Sequence, residues 1–214
     1  MWPFRKRSRW AYLRKAAQWV VELLRRVWSW VVATYARLTG ELKRQAVIAR
    51  LQKADIILAS PRTSRLPPLA LAYRLLLGAQ YVHSMLYIGG GRIIHTTSRH
   101  GVVVGRVPRG IYRRNRYAVY RAVGLDERQR GRIVAEALKW KGKRLDYAGL
   151  VTNLPSRLFG FRRALISAER ERIWCSRLVA SAYLEAGVEI VPRERLASVT
   201  SEDLAHSPIV RRVL

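Results

Sequence analysis

The sequence has one cysteine, Cys175, and only 14 acidic residues among 214. A single thiol cannot form an intramolecular disulfide, and no His and Cys residues have the spacing of zinc ligands. We therefore predict no disulfide framework, no metal and no other cofactor. A long apolar run is also lacking, because Arg14, Lys15 and Glu22 interrupt the first helical segment. This pattern predicts neither a secretion signal nor a membrane span, and it favours synthesis in the cytoplasm.

Basic residues dominate what is present. Lys and Arg number 41, which gives a formal net charge of +27 and an isoelectric point near 11.5. Such an excess predicts an anionic partner, and nucleic acid, a membrane surface and an acidic cell-wall polymer all satisfy that description. An arginine-rich codon bias would explain part of the excess without any partner, so charge alone does not choose among these.

Residues 1–44 form a predicted basic, Trp-rich amphipathic extension. From Trp10 to Leu38 the apolar residues recur mostly at steps of three and four, and residues 1–44 contain five of the seven tryptophans. Tryptophan and cations on one helix suit a membrane interface or another anionic surface. Packing on the domain, or pairing with a second copy, explains the stripe equally well. Thr39-Gly40 is predicted to end the helix.

Residues 45–214 are predicted to form one α+β domain. The segment from His83 to Thr97 has two strand-like runs joined by glycines, which is the pattern of a hairpin and favours an antiparallel sheet. The tail after Val188 looks irregular, with a short turn at 201–204, and residues 147–166 look like a partly helical excursion. The other predicted strands are 54–59, 102–107 and 117–122, and the predicted helices are 68–77, 126–140 and 173–186.

Cys175 is the candidate nucleophile. It lies where a helix begins, and the free N–H groups there favour thiolate and could stabilise an oxyanion. A thiol nucleophile needs an imidazole to take its proton. His83 and His95 are candidates, because twelve residues across a tight hairpin can bring their side chains together on paired strands. Taken alone, a single Cys is more often a buried hydrophobe.

Three segments together carry a family resemblance. They are Ala54 to Leu58, His83 to His95, and Trp174 to Gly187, which includes Cys-Ser-Arg-Leu-Val. In this order they resemble the circularly permuted papain-like amidases, a group that includes YiiX-type hydrolases of the NlpC-related superfamily and the lecithin:retinol acyltransferase relatives. The base precedes the nucleophile in that group, as His83 precedes Cys175 here. The resemblance covers about residues 47–210.

The resemblance implies a role for each residue. Cys175 is the expected nucleophile, His83 the general base and His95 the third member that orients the base. Arg177 and Tyr87 are the expected substrate contacts, and an Arg there would favour a carboxylate or phosphate on the substrate.

Several positions depart from the family pattern. Ala54 replaces a usual Gly, Ser84 and Met85 replace a small apolar pair, and Leu145 stands where a Tyr is common. Arg177 stands where Glu usually follows Cys-Ser. These departures leave the nucleophile and base in place and bear on substrate preference.

The sequence therefore predicts a cysteine hydrolase that cleaves an amide or related acyl bond through a thioester, acting on cell-wall peptide or a lipid-linked substrate. An acyltransferase would use the same residues. The alternative is a basic nucleic-acid-binding or virion structural protein, or an adaptor, on an inactive papain-like scaffold. We expect the protein to be peripherally associated with a membrane, or to be released or virion-associated.

Overall fold

The computed structural model describes residues 7–60, 68–159 and 171–214. The chain separates into two compact units, one ending at Gln45 and the other comprising Ala46–Leu214. Helix α1 spans Arg7–Ile48; its residues up to Gln45 make up the described part of the first unit, and its last three residues are assigned to the second. None of the described helices is long and apolar enough to cross a membrane.

The predicted helix end at Gly40 is wrong, because α1 continues through Gly40 to Ile48. A single Gly inside a helix costs about 1 kcal/mol relative to Ala. The following residues Glu41, Leu42 and Lys43 are good helix formers, and Arg44 and Gln45 each donate a hydrogen bond to Glu41 on the same helix. These local interactions offset the cost of the glycine.

The described strands of the second unit are β1 Ile56–Ala59, β2 His83–Gly89, β3 Arg92–Thr97, β4 Gly101–Arg106, β5 Tyr117–Ala122, β6 Arg144–Leu145, β7 Arg172–Ile173 and β8 Val210–Arg212. Six of them form an antiparallel sheet with the order β4-β3-β2-β1-β5-β8. A separate pair of two-residue strands, β6 and β7, is parallel. The α+β class and the antiparallel sheet predicted from the sequence are confirmed.

Helices flank the sheet. Helix α3, Glu127–Leu138, begins with a capping box, because the Asp126 side chain accepts from the Gln129 backbone and the Gln129 side chain accepts from the Asp126 backbone. The tail is more regular than predicted, since it holds a short helix, a 3-10 helix at Arg193–Ser198 and strand β8. The helices after α1 are α2 Pro68–Leu77, α3 Glu127–Leu138, α4 Tyr147–Leu158, α5 Cys175–Glu185 and α6 Ser201–Ala205.

The two faces of the sheet have separate cores. Side chains alternate along a strand, so neighbouring residues enter opposite cores. On one face, Ile56, Leu86 and Ile94 pack with the buried residues of α3 and α5. On the other face, Ile57 and Met85 pack in a second cluster with the end of α1. Helix α5, which carries Cys175, therefore lies against a defined side of β2 and β3.

Candidate active site

One large cavity, of about 760 Å³, contains Cys175 and His83 in its lining. Helices α2 and α4 contribute a mostly apolar part: Leu69, Ala70, Tyr73, Leu77, Tyr147, Leu150, Asn153, Ser156 and Arg157. The 3-10 helix and the start of α6 contribute a mostly polar part: Glu194, Arg195, Ser198, Val199, Thr200, Ser201 and Glu202. The cavity can therefore hold a molecule that has both apolar and polar portions.

The chain before α5 fixes the position of Cys175. Trp174 precedes the helix in an extended conformation and is almost fully buried. Its Nε1 donates to the Val199 carbonyl at 3.0 Å, and Ser176 Oγ donates to the same oxygen at 2.8 Å. Residues on both sides of Cys175 are thus anchored to one backbone group. This anchoring holds the first turn of α5, and the thiol with it, at the cavity wall.

The Cys175 thiol is in a poorly solvated setting. Burial raises the pKa of Cys175, and this is the largest influence on it. Hydrogen bonding by the backbones of Ser84, Ser176 and Cys175 itself, and by the Thr96 side chain, acts in the opposite direction on that pKa. The sequence predicted that the helix start would favour thiolate. The helix N–H groups do act in that direction, but desolvation outweighs them, so the resting group is a thiol.

His83 and His95 meet across the β2-β3 hairpin. His83 Nε2 lies 3.1 Å from His95 Nδ1, and the two rings are arranged edge to face. Burial lowers the pKa of His83 to about 4. Burial, and then the neighbouring His83, lower the pKa of His95 to about 4. Both imidazoles are therefore neutral at neutral pH, and one ring donates a proton to the other in the hydrogen bond that joins them.

The hydrogen bond between the rings has two possible directions. If His83 Nε2–H donates to His95 Nδ1, then His83 Nδ1 carries a lone pair and can accept a proton. In the opposite direction, the Nδ1 of His83 carries the proton and cannot act as a base. A neutral His83 is a competent base only in the first arrangement, which is the one in which His95 accepts.

Cys175 and His83 share the cavity without a mutual hydrogen bond. Across the described ranges, the His83 ring is hydrogen-bonded to His95 and not to Cys175. Hydrogen bonds between catalytic groups often tighten only when substrate binds. Proton transfer from the thiol would therefore need the His83 ring and the thiol to approach each other.

The two predicted substrate contacts do not line this cavity. Tyr87 is buried in the second core, and its hydroxyl accepts a hydrogen bond from the Gly91 backbone N–H at 3.1 Å. Arg177 lies over the Trp174 ring, at 5.3 Å from its centroid, and interacts electrostatically with the buried Asp146. Tyr87 therefore supports the hairpin turn and Arg177 supports the start of α5, and the substrate contacts expected of them remain predictions.

The structure adds residues that sequence reasoning missed. Asn153 is almost fully buried, lines the cavity, and its Oδ1 has no hydrogen-bond partner among the described residues. Thr96 lines the cavity and reaches the thiol. Asn153 lies in a segment without clear periodicity, so no sequence signal identified it.

These features define a class of α+β protein. It has a six-stranded antiparallel sheet, and its main cavity lies at a cysteine that begins a helix. The fold is YiiX-like. A crystal structure of the metalloprotein yiiX from Escherichia coli O157:H7 is similar to this chain, with a TM-score of 0.55 and 17% sequence identity. The similarity covers 76% of this chain and 96% of that chain. No protein-family model and no curated protein matches the sequence.

Proposed function

We propose that this protein is a cysteine hydrolase of the permuted papain-like type, with Cys175 as nucleophile, His83 as general base and His95 as the residue that orients His83. One observation carries the proposal. The only cysteine of the chain lies at the first residue of a helix in the same cavity as His83, whose Nε2 is held by the imidazole of His95. The order of base before nucleophile along the chain supports the permuted relation.

The proposed reaction begins with proton transfer. His83 Nδ1 takes the Cys175 proton as Sγ attacks the carbonyl carbon of an amide or ester, and the carbonyl electrons move to oxygen. Backbone N–H groups at the start of α5 stabilise this oxyanion. Protonated His83 then gives its proton to the leaving amine or alcohol, and a thioester remains on Cys175. Water, deprotonated by His83, releases the acid and restores the thiol.

The cavity lining supports an amphiphilic acyl substrate. Leu69, Leu77 and Leu150 provide an apolar surface for a chain or side chain. The unpartnered Asn153 Oδ1 can accept a hydrogen bond from a polar group of the substrate. Both a cell-wall peptide and a lipid-linked acyl group have these two kinds of surface. If an alcohol or amine replaces water in the second half of the reaction, the same residues perform acyl transfer.

The yiiX protein is described as a metalloprotein. Across residues 7–60, 68–159 and 171–214, no group of three or more His, Cys, Asp and Glu side chains could hold a metal ion. In addition, the facing nitrogens of His83 and His95 are used in their mutual hydrogen bond. These donors do not fit a metal site, so the proposed reaction uses none. Activity of the full chain should be unchanged by a chelator.

The decisive experiment is to trap the acyl-enzyme. The full chain is mixed with a p-nitrophenyl acyl ester, release of nitrophenolate is followed, and the acylated residue is located by mass spectrometry. We expect acylation of Cys175, its loss in Cys175→Ala, and a rate at least about a hundredfold lower in His83→Asn. His100→Asn is the matched control, because His100 is exposed, lies outside the cavity lining and should react like wild type. Equal acylation rates in wild type and His83→Asn would overturn the proposal.

A further inference from the structure

Helix α1 exposes many large apolar side chains. Within residues 18–42, the exposed fraction reaches 70% for Trp28 and 69% for Trp30. Leaving so much apolar surface in water is unfavourable, at roughly 25 cal/mol per Å². Such surfaces mark sites of interaction. The exposed apolar residues of this segment are Trp19, Val20, Val21, Leu23, Leu24, Val27, Trp28, Trp30, Val31, Val32, Tyr35, Leu38 and Leu42.

These side chains cover an arc of about 220° of the helix circumference. Successive residues of an α-helix are rotated by about 100°. With this rotation, four aliphatic residues lie within about 40° of the helix circumference and form the centre of the apolar side: Val20, Val27, Val31 and Leu38. Trp19 and Trp30 stand at one border of this apolar side, whereas Trp28 lies toward the other border, which Val21 and Val32 complete. We call this side, from residue 18 to residue 38, the apolar arc.

The opposite side of α1 is cationic. Arg14, Lys15 and Arg25 are exposed there, and the exposed Arg26 forms a 3.5 Å ion pair with Glu22. By the same rotation, Gln18 and Ser29 also fall on this side. The helix therefore has an aliphatic centre, indoles on both flanks of that centre and guanidinium or ammonium groups on the opposite side.

We propose that α1 lies flat in the surface of an anionic membrane. Indole rings prefer the boundary between headgroups and acyl chains, and cations beside them meet anionic lipid. This one partner covers the apolar arc and neutralises the cations. Nucleic acid would satisfy only the cationic side and leave the apolar arc in water. A second copy of α1 would cover the apolar arc but would add to the local positive charge.

The proposal is tested with the full chain and vesicles of phosphatidylcholine, with and without phosphatidylglycerol. We expect flotation with vesicles, stronger binding with phosphatidylglycerol, and partial weakening of that binding by salt. The double variant Val27→Glu, Val31→Glu places charge in the centre of the apolar arc. The matched control is Gln18→Glu, Ser29→Glu, which changes the net charge equally on the cationic side.

The two variants separate the possible outcomes. We expect at least about a tenfold fall in the vesicle partition coefficient for the valine variant, because two buried aliphatic side chains are lost from the lipid. The partition coefficient of the control variant should fall clearly less. Equal losses would show attraction by charge alone and overturn the proposal. Binding of DNA without binding of vesicles would overturn the proposal. It would also be overturned if the wild-type chain does not bind vesicles but forms concentration-dependent dimers that the valine variant does not form.

Discussion

Arg121 and the fully buried Asp55 form a bidentate ion pair, with Arg121 Nε and Nη2 each 2.7 Å from a carboxylate oxygen of Asp55. This pair joins β5 to the residue that precedes β1. Removing one partner leaves an uncompensated charge, which costs about 3–5 kcal/mol when the charge is buried. We expect Arg121→Ala to lower the free energy of unfolding by about that amount, measured by urea denaturation.

Lys53 and Glu127 provide a matched control for the Arg121 experiment. Their ion pair has the same 2.7 Å distance, but both side chains are largely exposed. Exposed pairs contribute roughly 0–1 kcal/mol. Lys53→Ala should therefore change the unfolding free energy little. Similar losses in the two variants would contradict the role assigned to the buried charge.

The second prediction concerns the reactivity of Cys175 with pH. Because burial raises the pKa of Cys175, the thiolate fraction should keep increasing with pH above the ordinary range of a free thiol. Alkylation by iodoacetamide should be slower near neutral pH in the native chain than in the denatured chain. A thiolate-imidazolium pair would instead give fast alkylation with a plateau from acidic to neutral pH. Observation of such a plateau would contradict the neutral resting site.

The third prediction concerns stability in acid. The pKa of His83 and of His95 is about 4 in the fold and 6.5 as the ordinary value. Between these values the unfolded chain binds more protons, so their contribution to stability is present above pH 6.5 and is lost as the pH falls toward 4. The loss is at most about 1.4 kcal/mol per pH unit for each ring. Solvent screening reduces it for the less buried His95.

This pH effect is isolated by comparing variants. Urea unfolding is measured from pH 7.5 to pH 4.5 for wild type, for the double variant His83→Asn, His95→Asn, and for His100→Asn. We expect a smaller decrease of stability in the double variant and an unchanged decrease in His100→Asn. If the double variant loses stability as steeply as wild type, the two rings do not titrate as described.

The fourth prediction concerns the packing behind the nucleophile. A Cβ added at Gly149 would collide with the Asp146 carboxylate and would lie 2.6 Å from Trp174 Cζ3. Gly149→Ala should therefore destabilise the fold by roughly 1–3 kcal/mol. It should also slow acylation of Cys175, because Trp174 directly precedes the nucleophile. Both effects can be followed by urea unfolding and by the ester assay.

Gly131 is the matched control for Gly149. Both glycines lie inside helices, but a Cβ at Gly131 would meet no atom within 4 Å. Ala is favoured over Gly in a helix by about 1 kcal/mol. Gly131→Ala should thus stabilise the protein slightly and leave acylation unchanged. Destabilisation by both substitutions would mean that the close approach at Gly149 is not the cause.

Local signals predicted much of the fold. The hairpin from His83 to Thr97 was predicted with its correct bounds, because three consecutive glycines separate two strand-like runs. Strand Tyr117–Ala122 and helix Pro68–Leu77 were also predicted correctly. Strand β8 was missed, because its three residues include Arg211 and Arg212 and have no apolar alternation. Its strand conformation depends on pairing with β5, which lies about 90 residues earlier in the chain.

The candidate site was less accessible to sequence reasoning. Motif order identified Cys175, His83 and His95, and the roles given to them remain predictions. The environment of the thiol was not predictable, because it depends on residues distant in sequence, such as Thr96, whose side chain hydrogen-bonds the thiol. The substrate contact expected of Tyr87 rested on its place in the same strand as His83, and it too remains a prediction. In the fold, this part of the strand packs its side chain into the second core.

Part of the positive charge of the protein lies on an edge strand of the sheet. β4 and β8 are the outermost strands, and β8 has only three residues, two of them the exposed Arg211 and Arg212. An outermost strand has backbone groups that can recruit a strand from another molecule. Short length and cationic side chains oppose such recruitment. Some of the arginine excess would therefore protect the protein from aggregation during synthesis and storage, independently of any anionic partner.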